Sequence, residues 1–102
     1  MNKYQLKDKV VVITGSTGGL GQATAQALRN KGAKLALLDL DLNKVTQQAN
    51  DLGGSSNAMG WQADVCSLES LENAMASAAK HFGKIDVVIA NAGIGRPASL
   101  EH

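Results

Sequence analysis

The run Val10-Val11-Val12-Ile13-Thr14-Gly15-Ser16-Thr17-Gly18-Gly19-Leu20-Gly21 constrains the fold of this chain more than any other. An apolar stretch ends in a turn made largely of glycine, and the turn opens into residues with helical spacing. The apolar stretch is continuous rather than alternating, as in a strand buried on both faces. The first backbone N–H groups of the helix that follows have no partner within it and sit at the positive end of its dipole. An anion can occupy that place if side chains leave room. Gly15 allows the tight turn, Gly19 lets backbone approach a pyrophosphate, and Gly21 lets the helix lie close to the strand.

A glycine-rich turn also serves as a plain strand-to-helix connection, so a second feature has to carry the argument. The run Leu35-Ala36-Leu37-Leu38 ends in Asp39. An acid closing the second strand, about 20 residues beyond the glycines, is where a dinucleotide site places the partner of a ribose hydroxyl. Asp41 lies two residues further on, and its place reads as a helix cap.

The rest of the chain alternates strands and helices, with no internal sequence repeat. Lys9 to Thr14 reads as the first strand, followed by a helix from Gly19 to Lys31 with Leu20, Ala23, Thr24, Ala27 and Leu28 on its buried face and Gly32 as its stop. Lys34 to Leu38 is the second strand. Asp41 or Asn43 caps a second helix that buries Leu42, Val45, Ala49 and Leu52. After the Gly53-Gly54 loop, Ala58 to Ala63 forms a weaker third strand. Ser67 caps a third helix with an apolar stripe of Leu68, Leu71, Met75, Ala78 and Phe82, closed by Gly83. Ile85 to Ala90 is the fourth strand, and Ile94 to Ser99 reads as loop.

This βαβαβαβ order implies an α/β fold with a parallel sheet. Right-handed crossovers put the first two helices on one face and, with strand order 3-2-1-4, the third on the other. The expected architecture is a Rossmann-type doubly wound sheet with its ligand crevice between strands one and four. At 102 residues the chain has length for a single domain. A net charge of +1 gives no reason to expect nucleic acid, and no apolar run approaches the roughly 20 residues of a membrane span. One cysteine cannot form an internal disulfide, so the reducing cytoplasm is the default compartment. No His/Cys/Asp/Glu cluster has metal-ligand spacing.

At Thr14-Gly15 and Gly19-Leu20-Gly21 the chain resembles the TGxxxGxG motif of the short-chain dehydrogenases/reductases. Asn91-Ala92-Gly93 is similar to that family's NAG segment after strand four, and Asp64-Val65 to its adenine contact after strand three. The resemblance implies a nicotinamide cofactor, and the charge of Asp39 makes it NAD in preference to NADP. It implies a pyrophosphate lined by Gly15, Ser16, Thr17, Gly19, Leu20 and Gly21, a ribose held by Asp39, and an adenine met by Asp64 and Val65. Asn91, Ala92 and Gly93 would lie along the ribose. Ala90 stands where many relatives have a further Asn.

The family's chemistry uses a Ser, a Tyr and a Lys, the last two in a YxxxK pair. A tyrosine needs such help because its ordinary pKa is about 10. The one tyrosine here is Tyr4, and Asp8 follows four residues later. No catalytic residue is therefore assigned. Residues 1–102 are expected to be the cofactor-binding N-terminal part of a longer, homo-oligomeric enzyme that moves hydride between nicotinamide and an alcohol or carbonyl of a small molecule. The alternative is a dinucleotide-binding module without chemistry, such as a redox sensor or assembly partner. A P-loop nucleotidase would need Gly-Lys-Ser/Thr after the glycines, which is absent. Cys66 reads as a small, partly buried hydrophobe, His81 as a cation at a helix C-terminus, Trp61 as packing, and Ser99 and His102 as residues without a role.

Overall fold

The computed structural model describes residues 6–91. Seven elements alternate along them: β1 (Val10–Thr14), α1 (Gly19–Asn30), β2 (Lys34–Asp39), α2 (Leu42–Asp51), β3 (Ala58–Gln62), α3 (Leu68–Phe82) and β4 (Val87–Ala90). All strand pairs are parallel and the sheet order is β3-β2-β1-β4. This is the expected topology, with the chain reversing direction between β1 and β4.

The two central strands explain the continuous apolar runs. Val11 and Ile13 of β1 and Leu35 and Leu37 of β2 face Ala25 of α1 and Val45 and Ala49 of α2. Val12, Ala36 and Leu38 face the other way, against Ala74, Ala78, Leu71, Met75 and Phe82 of α3. Full burial of each Val or Leu side chain stabilises the fold by about 1.5–3 kcal/mol. Trp61 of β3 packs into the second of these clusters. Its ring meets those of His81 and Phe82 edge-on, at 5.8 and 6.4 Å. His81 is in the last turn of α3, as expected, but its Nε2–H donates to the Ser55 carbonyl at 2.6 Å, which the sequence did not suggest.

The helix faces differ from expectation chiefly in their first turns. Leu20, Leu42 and Leu68 are 63%, 47% and 71% exposed. Each belongs to the first turn of its helix. The strand-to-helix turns are short, so these first turns overhang the carboxyl ends of the strands and have no sheet beneath them. In α1 the buried row is Gly21 and Ala25 with Leu28 partly covered, whereas Ala23 and Ala27 are exposed. In α3 the buried Ala74 belongs to the stripe in place of Leu68.

Two helices are capped as the sequence suggests. Asp41 accepts from the Lys44 N–H at 3.1 Å and Ser67 from the Ser70 N–H at 3.2 Å. Strand β4 begins at Val87 rather than Ile85. Residues ahead of it are used otherwise: Ile85 packs against the α3 side of the sheet, and the Asp86 carboxylate accepts from the Val10 N–H at 2.8 Å and pairs with Lys84 at 3.1 Å. The Val10 N–H and Lys84 hold the Asp86 carboxyl below the usual carboxylate range.

Candidate functional site

Because every strand runs the same way, the loops after β1, β2 and β3 and Asn91 after β4 gather at one edge of the sheet. The first of them turns sharply at Gly15, whose φ of 63° lies in the left-handed region that glycine enters without strain. The Gly18 N–H then donates to the Gly15 carbonyl at 3.3 Å. The helix that follows comes very close. A β-carbon at Gly21 would lie 2.3 Å from the Gly15 carbonyl oxygen and 2.8 Å from Ser16 Cα. At Gly19, by contrast, a β-carbon would meet nothing within 4 Å. Gly19 therefore faces open space at the helix end. Helix α1 starts from Gly18 without a side-chain cap and has no acid in its first turn. Its free N–H groups and dipole stay available to an outside anion.

Across from this turn stands Asp39. Its Oδ2 accepts from the Thr17 hydroxyl at 2.6 Å and from the Thr17 N–H at 2.9 Å, and its Oδ1 accepts from the Leu40 N–H at 2.7 Å. Partial burial pushes the Asp39 carboxyl up. The Thr17 hydroxyl and N–H, the Leu40 N–H and the Lys44 ammonium together outweigh burial and hold it below its ordinary value. The group is thus an anion at neutral pH, fixed at the end of β2 and half-open to solvent.

Ser16 is fully buried, and its carbonyl accepts from Gln48 Nε2 at 2.7 Å. Gln22 Nε2 donates to the Thr17 carbonyl at 2.7 Å. A cleft of about 430 Å³ opens between α1 and α2, lined by Thr17, Gln22, Gln26, Lys44, Gln47 and Gln48 among others. At the far side of β1 the Asn91 N–H donates to the Thr14 carbonyl at 3.2 Å and hydroxyl at 3.1 Å. Ala92 and Gly93 lie outside the described residues, as do Tyr4, Ser99 and His102.

After β3, the Ala63 N–H donates to the Asp39 carbonyl at 2.9 Å, which brings the Asp64 turn beside Asp39. Asp64 accepts from the Cys66 N–H at 2.9 Å, and its own N–H donates to Ser70 Oγ at 2.9 Å. Val65 is 38% exposed. Cys66 is exposed, not partly buried, because it sits on the outside of this turn. The same edge carries Leu20, Leu40 and Leu42, all open to solvent. It therefore offers, side by side, an uncapped helix end, a fixed carboxylate and exposed apolar side chains.

The donor set suits a ligand with phosphate, sugar and apolar ring parts. Three buried polar atoms at this end of the structure have no partner among the described residues: Ser16 Oγ, Gln48 Oε1 and Asn91 Nδ2. Buried polar groups are ordinarily paired, so atoms left open beside a crevice fit a site that an outside polar ligand completes. Among the described residues no group of three His, Cys, Asp or Glu side chains could hold a metal, and no helix is long and apolar enough to cross a membrane.

Gln48 and Gln22 escaped the sequence reading. Gln48 carried one usable signal: it lies three residues after Val45 and one before Ala49, at the border of the buried row of α2. Gln22 carried none, since its role depends on the turn geometry at Thr17.

Residues 9–102 match the family model for short chain dehydrogenases. A curated relative, D-threitol dehydrogenase from Mycolicibacterium smegmatis, is 36% identical over 100 residues, which cover 97% of this chain and 38% of that protein. Among solved structures, the 3-ketoacyl-(acyl-carrier-protein) reductase from Brucella melitensis complexed with NADH superposes with a TM-score of 0.76 at 30% identity, over 81% of this chain and 33% of that one. A short chain dehydrogenase/reductase from Burkholderia phymatum in complex with NAD gives a TM-score of 0.75 at 29% identity, over 81% of this chain and 30% of that one. The chain thus spans about a third of the length of the proteins it matches.

Proposed function

The chain belongs to the short-chain dehydrogenase family, and from that premise we propose that residues 1–102 are the dinucleotide-binding part of an oxidoreductase. The protein it represents transfers hydride between a nicotinamide cofactor and an alcohol or carbonyl substrate. The nicotinamide supplies the hydride chemistry when bound. The residues of this chain hold and orient the cofactor.

The observation that carries this reading is the placement of Asp39, an ionised carboxylate, beside the uncapped start of α1. In the proposal the backbone of Gly15, Ser16, Thr17, Gly19, Leu20 and Gly21 surrounds the pyrophosphate, with the open space at Gly19 as the point of entry. Asp39 accepts from the adenosine ribose. Asp64 and Val65 meet the adenine, and Asn91, Ala92 and Gly93 lie along the ribose. The negative charge of Asp39 favours NAD over NADP, because the 2′-phosphate would bring a second anion against it. The longer enzyme is proposed to be a homo-oligomer.

Titration of the 15N-labelled chain with NAD tests the reading. Shift changes are expected at Gly15 to Gly21, Asp39, Asp64 and Val65. Saturating NAD without change at these amides rules it out.

A further inference from the structure

Thr17 is tied at three points. Its carbonyl is held by Gln22 of α1, and its hydroxyl and N–H both point at one oxygen of Asp39. A carboxylate oxygen has about two lone-pair sites. Oδ2 is therefore fully used by Thr17, and Oδ1 keeps one site after the Leu40 N–H is served. The carboxylate can turn away from a ligand only by giving up both bonds to Thr17.

That constraint bears on cofactor choice. An acid that discriminates by charge does so only while it stays in place. A mobile side chain rotates out when a 2′-phosphate arrives, and the discrimination falls. We propose that Thr17 is a positioning residue for cofactor selectivity: its hydroxyl locks Asp39 against rotation, so that the carboxylate presents Oδ1 to the ribose and cannot retreat from a phosphate. This inference rests on the reading of Asp39 as the ribose acceptor. It adds the residue that makes that acceptor selective.

The chemistry identifies which part of Thr17 matters. The N–H survives any substitution except proline, whereas the hydroxyl survives only as serine. Thr17→Val keeps the side-chain shape and removes the 2.6 Å bond; Thr17→Ser keeps the bond and removes a methyl. Thr17→Ala serves in place of valine if valine crowds the turn. Lys44 is the charged group that acts on Asp39 from α2, and it is unchanged in all three variants.

Two measurements on the full chain and these variants decide the matter. The first is the 13C titration of the Asp39 carboxyl without nucleotide. The second is the ratio of NADP to NAD dissociation constants by calorimetry. In Thr17→Val the Asp39 midpoint is expected to rise and the ratio to narrow by about tenfold, the worth of one modest charge-assisted bond. Thr17→Ser restores both. A folded Thr17→Val with the wild-type midpoint and ratio overturns the proposal, and so does a variant that weakens both nucleotides equally. A wild type that binds neither nucleotide overturns the dinucleotide reading itself, and the proposal falls with it. A wild type that binds NAD while Thr17→Val leaves the ratio intact removes the proposal alone.

Discussion

Gly21 stands so close to Gly15 that a β-carbon on the helix would lie 2.3 Å from the carbonyl oxygen of the turn. The contact is with backbone, which cannot swing aside as a side chain can. Gly21→Ala is therefore expected to destabilise the fold by about 3 kcal/mol, at the upper end of ordinary overpacking. That corresponds to a drop in Tm of more than about 10 °C for a domain of this size. Gly19→Ala is the control. Its β-carbon meets nothing, so the melt should stay in place while NAD binding weakens at the phosphate entry. Thermal melts of the two variants with NAD titrations check both halves. A Gly21→Ala melt equal to wild type contradicts the close approach.

Asp39→Ser removes the proposed barrier to NADP. At about 4 Å and an effective dielectric near 20, two unit charges interact by about 4 kcal/mol. Asp39 is only partly buried, so solvent reduces this, and a preference on the order of 10²-fold remains. The wild type should bind NAD at least that much more tightly than NADP. The variant should lose affinity for NAD and gain it for NADP. Equal wild-type affinities, or no gain for NADP in the variant, would refute the assignment.

How far the sequence could be read depends on the range of the interactions involved. The central strands were legible because burial on both faces leaves Val10 to Ile13 and Leu35 to Leu38 no room for polar residues. Handedness assigns the helices to the two faces once strand four is set beside strand one, and the sheet has that order, β3-β2-β1-β4. The first turns were misjudged because helical periodicity carries no information about where the sheet ends. Leu20, Leu42 and Leu68 continue their stripes past that end. Their exposure lies at the ligand edge, where local pattern and global fold are expected to disagree. Asp39 was legible as a residue through its place after an apolar run. Its bond to Thr17 was not, since 22 residues separate the two. Asp86 went unnoticed for the same reason: its partner Val10 lies 76 residues away.

The Asp86 clamp gives a pH dependence of known sign. Its folded pKa is lowered, chiefly by the Val10 N–H and then by Lys84. A carboxyl with a lowered folded pKa contributes stability above its unfolded pKa of about 3.9 and loses it as pH falls through the folded value. Asp86→Asn should thus be less stable than wild type at pH 7. The gap should shrink as pH falls below about 4 and close only once the folded carboxyl, whose pKa lies lower still, is also protonated. Urea midpoints across this range check it, and a gap that widens in acid would show the sign to be wrong.

The chain alone is expected to hold a nicotinamide cofactor without turning it over. Its one tyrosine, Tyr4, precedes β1 and is followed four residues later by Asp8, so it forms no tyrosine–lysine pair. Absorbance of NADH should stay flat with a panel of simple ketones and aldehydes, and that of NAD with alcohols. Turnover well above buffer, in protein free of host dehydrogenases, would contradict the expectation.

Strand β4 sets the last expectation. Among the described residues it pairs with β1 on one side only, so its outer N–H and C=O groups form an open edge of the described sheet. Val87 and Val88 project to opposite faces of the sheet and are 42% and 47% exposed, although the strand is apolar throughout. An apolar edge of this kind is a template for pairing with another chain. The chain should therefore self-associate, with a mass by light scattering that rises with concentration. Val88→Lys places a charge on the exposed strand, which disfavours edge-to-edge pairing and leaves the residues of β1 and β2 unchanged. It should shift the population toward monomer. A wild type that stays monomeric at every concentration, with a cooperative melt between about 45 and 65 °C, would show that the edge is protected in another way.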